Sequence, residues 1–222
     1  MKKKTQQLKS GVSVLWIIVG FSLLALLGWF GYTKLQGKPN TNEVVKTTEG
    51  EVLSPVIEAV LTQKLKLLEE LAGDSVLVSE TASSTKKNKA LSESDIAKLD
   101  DKWKAAKDGD ALIVQYLTNK VAKTLITFQE DNPGFVEIFV TDAVGLNVGQ
   151  TNKTSDYLQA DEDWWTGAYS KGAGKAYHGE IEYDESAQSE SISLYVPVYA
   201  KDKTVVGVIK GVFNITALQK EL

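Results

Sequence analysis

The chain contains no cysteine, which excludes disulfides, thiolate metal sites, thiol catalysis and a lipid-modified N-terminal cysteine. It contains no arginine either: all 25 basic residues are lysine. A bidentate guanidinium clamp on a carboxylate or phosphate therefore cannot be built. There is one histidine, His178. Ser-His-Asp chemistry would have to run through it, and no nucleophile elbow is present. With no phosphate loop and no zinc spacing, the chain is not expected to be an enzyme, and neither a metal nor a cofactor is expected. No acidic residue precedes Glu43. Four of the lysines lie in the leader, so 21 lysines face 29 acids in the remainder. A body this acidic, with no basic stripe, makes nucleic acid an unsuitable partner.

What is present begins with a basic leader, residues 1–11, carrying Lys2, Lys3, Lys4 and Lys9. Val12 to Tyr32 follows without a charge for 21 residues. At about 1.5 Å per residue such a run spans roughly 30 Å, the thickness of a bilayer's hydrocarbon core. Trp16, Trp29 and Tyr32 lie toward its ends, as interfacial aromatics do. The run is too long for the apolar region of a cleaved signal peptide and is not followed by an Ala-x-Ala site. The expectation is one transmembrane anchor with the N-terminus in the cytoplasm and the rest of the chain outside it. Residues 33–50 read as a polar linker.

Ser54-Pro55 is an N-cap followed by proline at the first helical position. Val56, Ile57, Val60, Leu61, Leu65, Leu68 and Leu71 then recur at helical spacing, with Gly73 as the stop. Ser79–Asn88 reads as a loop. Ser92 and Asp95 form a capping box for a second helix with Ile96, Leu99 and Trp103 on one face. A third helix carries Leu112, Ile113, Tyr116, Leu117, Val121, Leu125 and Phe128, and ends at Asn132-Pro133-Gly134. After Gly134 the pattern turns to strands: Phe135–Thr141, a tight turn over Asp142–Gly145 with Asp142 as its cap, and Leu146–Thr151 pairing back. Asp161–Lys171 is a short helix. Tyr177–Tyr183, Ser191–Tyr199 and Thr204–Asn214 complete five strands, with Pro197 marking an edge or a bulge. The layout is α+β with a sheet of about five antiparallel strands and long helices in front of it.

Several motifs arrive in a fixed order: Asp142-x-x-Gly145, Thr154-Ser155-Asp156-Tyr157, Asp161-Glu162-Asp163-Trp164-Trp165, Tyr183-Asp184-Glu185-Ser186, Val196-Pro197-Val198 and Val206-Gly207-Val208-Ile209. Over about Glu51 to Thr216 this order resembles the extracytoplasmic Cache domain, the PAS-like sensor fold also called PDC, in a stand-alone membrane-anchored form. Residues 217–222 would be a tail. The resemblance implies a curved antiparallel sheet behind a long N-terminal helix, with a ligand pocket between the sheet and the helix-bearing loop. Members sense amino acids, organic acids and other small metabolites for kinases and chemoreceptors. Those that bind amino acids use a tyrosine, an arginine two positions before a Trp-aromatic pair, and an aspartate in the last strand. Tyr157 and Trp164-Trp165 match; Glu162 stands at the arginine position and Val212 at the aspartate position. Both charge partners of a zwitterion are replaced, so an amine or another metabolite outside the amino acids is expected beside Glu162, against an aromatic wall.

The candidate ligand-binding residues are Tyr157, Glu162, Trp164, Trp165, Tyr183, Asp184 and Tyr195. Adjacent on a helix, Trp164 and Trp165 diverge by about 100°, so one of them belongs to the core. The Asp161–Asp163 run lacks the alternating ligand spacing of a calcium loop and reads as acidic dressing of a helix start. His178 falls with Glu180 and Glu182 on a solvated strand face. The function expected is a membrane-anchored small-molecule sensing module that signals through a membrane partner or as a homodimer along the first long helix. A structural subunit of an envelope complex is the alternative, and a piece of a longer receptor the third reading. A sealed aromatic interior would favour the structural role, and an open cavity with convergent polar groups the sensor.

Overall fold

Ser54 opens the first helix, its Oγ accepting from Ile57 N at 3.4 Å. The computed structural model describes residues 53–184 and 189–221. The expected leader, membrane segment and linker lie outside the described residues, as do the side chains of Asp184 and Ser189. Among the described residues no helix is long and apolar enough to cross a membrane.

Helix α1 (Pro55–Ala72) buries Val60, Leu61, Leu68 and Leu71 and stops at Gly73. The stretch expected as a loop is instead helix α2 (Ser75–Asn88), capped by Asp74 Oδ1 on Val76 N and Leu77 N. Its fully buried positions are Leu77, Thr81 and Asn88, so it carries almost no apolar periodicity to read. Leu77 packs into the core with Val78 and Ala82 beside it, and hydrogen bonds hold the rest of the helix. Thr85 Oγ1 donates to Val206 O at 2.7 Å and accepts from Ala143 N, while Ser84 and Asn88 donate to Asp142.

Helix α3 (Glu93–Ala105) starts at the expected capping box, Ser92 Oγ accepting from Asp95 N and donating to Asp95 Oδ2. The single third helix expected from Leu112 to Phe128 is two, α4 (Ala111–Thr118) and α5 (Lys120–Asp131). Asn119, in extended backbone, divides them: its Oδ1 caps Ala122 N and its Nδ2 donates to Val148 O, both at 2.8 Å. An asparagine that both caps a helix and anchors a strand outweighs a continuous apolar stripe.

Five strands follow: β1 (Phe135–Asp142), β2 (Asn147–Gln150), β3 (Tyr177–Asp184), β4 (Ser189–Tyr199) and β5 (Val205–Asn214). They form one sheet in the order β2-β1-β5-β4-β3, every pair antiparallel. The fold is α+β, as expected. In the β1–β2 turn, Asp142 Oδ1 accepts from Val144 N and Leu146 N. Gly145 has φ +87°, and a side chain there would strike Ala160, which is why glycine is required. Pro197 pairs with Val208 of β5, but the β3 ladder has ended two residues earlier at Tyr195, leaving one flank of the strand unpaired where proline is tolerated. After β5 a short helix α7 (Ile215–Gln219) buries Leu218 at the start of the expected tail.

Because strand side chains alternate, the sheet has two distinct faces. Ile138, Val140, Ile192, Leu194, Ile209 and Phe213 pack against Leu61 and Leu68 of α1, Leu77 of α2 and Leu125 of α5. The opposite face carries Tyr195 and Val208, packed with Trp165 and Ala168 of helix α6 (Asp163–Tyr169). Helix α6 ends in a 3-10 turn, Ser170–Gly172, in which Ser170 and Lys171 have positive φ. This is shorter than the helix expected over Asp161–Lys171.

Candidate ligand-binding cavity

The segment between β2 and α6 is fixed from α3. Asp100 Oδ1 accepts from Tyr157 N at 2.8 Å and Leu158 N at 3.1 Å. Lys104 Nζ bridges Asp100 at 2.6 Å and Asp156 at 2.8 Å, and Trp103 Nε1 donates to Thr154 O. Burial pushes the Asp100 carboxyl up, but hydrogen bonds from Lys104 and from the Leu158 and Tyr157 N–H groups together hold it below the usual carboxylate range.

Beyond this anchor the two tryptophans separate as their helical spacing requires. Trp165 is 5% exposed. Its Nε1 donates to Thr141 Oγ1 at 2.8 Å, and its ring stacks on Tyr169 with centroids 4.7 Å apart. It belongs to the core. Trp164 is half-buried. It stacks on Tyr195, centroids 5.2 Å apart and planes at 13°, and meets Phe139 edge-on at 5.8 Å. Its carbonyl accepts from Tyr177 Oη.

The Trp164–Tyr195 stack forms one wall of a cavity of about 520 Å³. Ser191, Ser193 and Tyr195 of β4, every second residue, line it together with Lys210 of β5. Asp161, Glu162 and Asp163 border it from the start of α6, and Glu182 and Tyr183 from β3. Ser155 and Gln159 complete the lining. Four carboxylates thus meet one ammonium. The negative field is felt at Tyr195, whose hydroxyl is pushed up to about 12, by burial first, with Tyr177, Glu182 and Glu162 adding to it against a hydrogen bond from Ser193. Tyr195 is therefore neutral and able to donate.

Of the residues expected to bind ligand, Glu162, Trp164, Tyr183 and Tyr195 come together around this cavity. Tyr183 is 62% exposed at its rim. Trp165 stands behind it in the core, and the side chain of Asp184 lies outside the described residues. Tyr157 is elsewhere. Its ring packs with Trp103 and Tyr116, its hydroxyl meets Tyr116 Oη at 2.8 Å, and it lines a separate polar cleft of about 340 Å³ between α2 and α4. His178 is also not where alternation predicts. A register shift between His178 and Ile181 breaks the period of two, and the ring is half-buried with Nε2 3.1 Å from Glu58 Oε2 of α1.

Lys210, Glu182, Ser191 and Ser193 were not among the expected site residues. Val212, at the position of the last-strand aspartate, is 1% exposed, while Lys210, two residues earlier on the same face, lines the cavity. The readable signal was a lone lysine inside the otherwise apolar run Val205–Phe213.

No family model matches the chain, and no curated protein matches it. Among solved structures it is similar to the ligand-binding domain of the Campylobacter jejuni chemoreceptor Tlp3 in complex with L-valine, at 16% identity over 76% of this chain and 67% of that one, with a TM-score of 0.37. It is also similar to the ligand-binding domain of the Pseudomonas aeruginosa PAO1 amino acid chemoreceptor PctB with L-Arg (14% identity, 74% of this chain, 54% of that one, TM-score 0.42). A third is the Escherichia coli DcuS sensor domain (14% identity, 63% and 96%, TM-score 0.33). The chain spans about half the length of the Pseudomonas domain. TM-scores at this level do not establish a common fold.

Proposed function

We propose that this chain is a small-molecule sensing module of the extracytoplasmic Cache type, anchored by residues 12–32, which binds a metabolite carrying a cationic group and passes its ligand state to a membrane partner. The observation that carries the reading is the cavity under α6. It is open, walled by the Trp164–Tyr195 stack, and bordered by Asp161, Glu162, Asp163 and Glu182. Carboxylates attract cations, and a cleft in which four of them outnumber one ammonium concentrates cationic groups. An open cavity with convergent serine, tyrosine and carboxylate groups suits a sensor better than a structural subunit, whose interior would be filled. The ordered motifs that resemble Cache domains support the same reading.

The module works as a binder rather than an enzyme. His178, the one histidine, pairs with Glu58 on α1 and does not line the cavity. Thr62, Gln63, Lys66 and Glu69 on the exposed side of α1 are polar, while Val56 and Ala59 near its start are exposed as well; the partner is another membrane protein or a second copy of the chain.

The test is a thermal-shift titration of the full chain with amines of graded size, both simple and carboxylate-bearing. A ligand at 100 times its dissociation constant adds about 2.7 kcal/mol, a rise of a few degrees for a domain of this size. Trp164→Ala and Glu162→Gln should each remove the shift. Amines that give no shift, or a shift that both variants retain, would overturn the reading.

A further inference from the structure

Lys210 is the one cation among the residues that line the cavity. It stands in the middle of β5, paired with Phe139 on β1 and Tyr195 on β4. Its Nζ lies 5.3 Å from the centroid of the Trp164 ring and 5.9 Å from that of Phe139. Among the described residues it makes no ion pair. Glu137, a buried carboxylate of β1, stands one pair further along, opposite Val212. The aromatic face that a simple cation would seek is therefore already occupied by the protein's own ammonium. A monocation entering the cavity meets the Asp161–Asp163 and Glu182 carboxylates favourably and Lys210 unfavourably.

We infer that Lys210 sets the polarity of the bound molecule: its anionic group lies at the sheet against Lys210, and its cationic group faces the carboxylates of the α6 loop and β3. Ser193 and the neutral Tyr195 hydroxyl, on β4 beside Lys210, supply further hydrogen-bond partners for an anionic oxygen. This rests on the cavity's being the ligand site. It adds that a purely cationic ligand is the wrong one, and that specificity comes from the repulsion Lys210 exerts on it as much as from attraction.

The experiment is calorimetric titration of the full chain with three compounds sharing a four-carbon skeleton: doubly cationic putrescine, zwitterionic γ-aminobutyrate and doubly anionic succinate. The same three charge patterns on five- and six-carbon skeletons cover other spacings. The zwitterion should bind about tenfold or more tighter than either companion, the scale of a charge-assisted hydrogen bond. Lys210→Met keeps an unbranched apolar stem over Phe139 and Trp164. It should weaken the zwitterion by about tenfold or more and leave the diamine equal or tighter. Lys210→Arg, which preserves the charge, should restore the wild-type order and separates the role of charge from any disturbance of β5. A diamine that binds tightest to the wild type, with an order unchanged in Lys210→Met, would overturn the role of Lys210 while leaving a cation-binding cavity intact. No binding by any member of the set at millimolar concentration would overturn both.

Discussion

Trp164→Ala and Trp165→Ala, one residue apart in the same short helix, should have opposite consequences. Trp165 is 5% exposed, sits between Tyr169 and the sheet, and donates to Thr141 Oγ1. Truncating a buried tryptophan leaves a cavity and costs about 3–5 kcal/mol. Trp164 is half-buried and open on the cavity side. Its loss removes the stack on Tyr195 and the edge contact with Phe139, aromatic pairs worth about 0.5–1.5 kcal/mol each beyond their area. The Tyr177 hydroxyl bonds to the Trp164 backbone carbonyl and survives the change. The expected stability loss is thus roughly 1–3 kcal/mol, with ligand affinity down by about tenfold or more. Urea unfolding read by circular dichroism, with the ligand titration run on each folded variant, gives both numbers. Equal destabilisation by the two substitutions, or unaltered binding by Trp164→Ala, would refute the division of roles between them.

Asp142 offers a sharper polar test. Its two oxygens accept from Ser84, Asn88, Val144 N and Leu146 N, all at 2.8–3.1 Å. In Asp142→Asn at least one of these donors faces an N–H, so unfolding free energy in urea should fall by roughly 1.5–3 kcal/mol. A neutral outcome would show that α2 is held by packing instead. The Asp100 carboxyl, held below its ordinary value in the folded state, contributes stability that is present above the unfolded aspartate pKa of about 3.9 and lost as pH falls through the lower folded value. Melting temperatures across the acid range should therefore drop less steeply for Asp100→Asn than for the wild type and converge with it at the acid end. Parallel curves would remove Asp100 from the acid response. At the alkaline end Tyr195, raised to about 12 by burial, works in the other sense. Its contribution is complete below pH about 10 and is lost as pH rises toward the folded value, so Tyr195→Phe should flatten the decline in melting temperature above pH about 10.

The strands were legible because period two and β-branched runs mark them directly, and α1 because Ser54, Pro55 and Gly73 punctuate a clean apolar stripe. Helix α2 was not. A helix whose buried positions include Thr81 and Asn88, and whose other holding residues are Ser84 and Thr85, satisfies its contacts by hydrogen bonds that no hydropathy pattern encodes. The break at Asn119 escaped for the same reason. Its two bonds, to Ala122 N and Val148 O, join elements that only the folded chain brings together. That the α6 tryptophans part, one of them to the core, followed from helical geometry, though which of the two did not, whereas Tyr157 shows the limit of motif order. It is near the cavity in sequence, yet Asp100 and Trp103 of α3 pull it into a different aromatic cluster.

Lys210 is the most instructive of the site residues. In a strand buried almost throughout, a lysine costs desolvation unless something meets its charge. The rings of Phe139 and Trp164 meet part of it, and the acidic rim of the same cavity supplies a compensating field at longer range. With Glu162 at the arginine position of the resembled pattern and Val212 at its aspartate position, the sequence pattern offers no partner for an anion. Alternation along β5 brings Lys210, two residues before Val212, to the same face and to the cavity. With Glu162 on the α6 side and Lys210 on the sheet, the cavity presents charges of both signs to a ligand, and the proposed orientation follows from the side on which each lies.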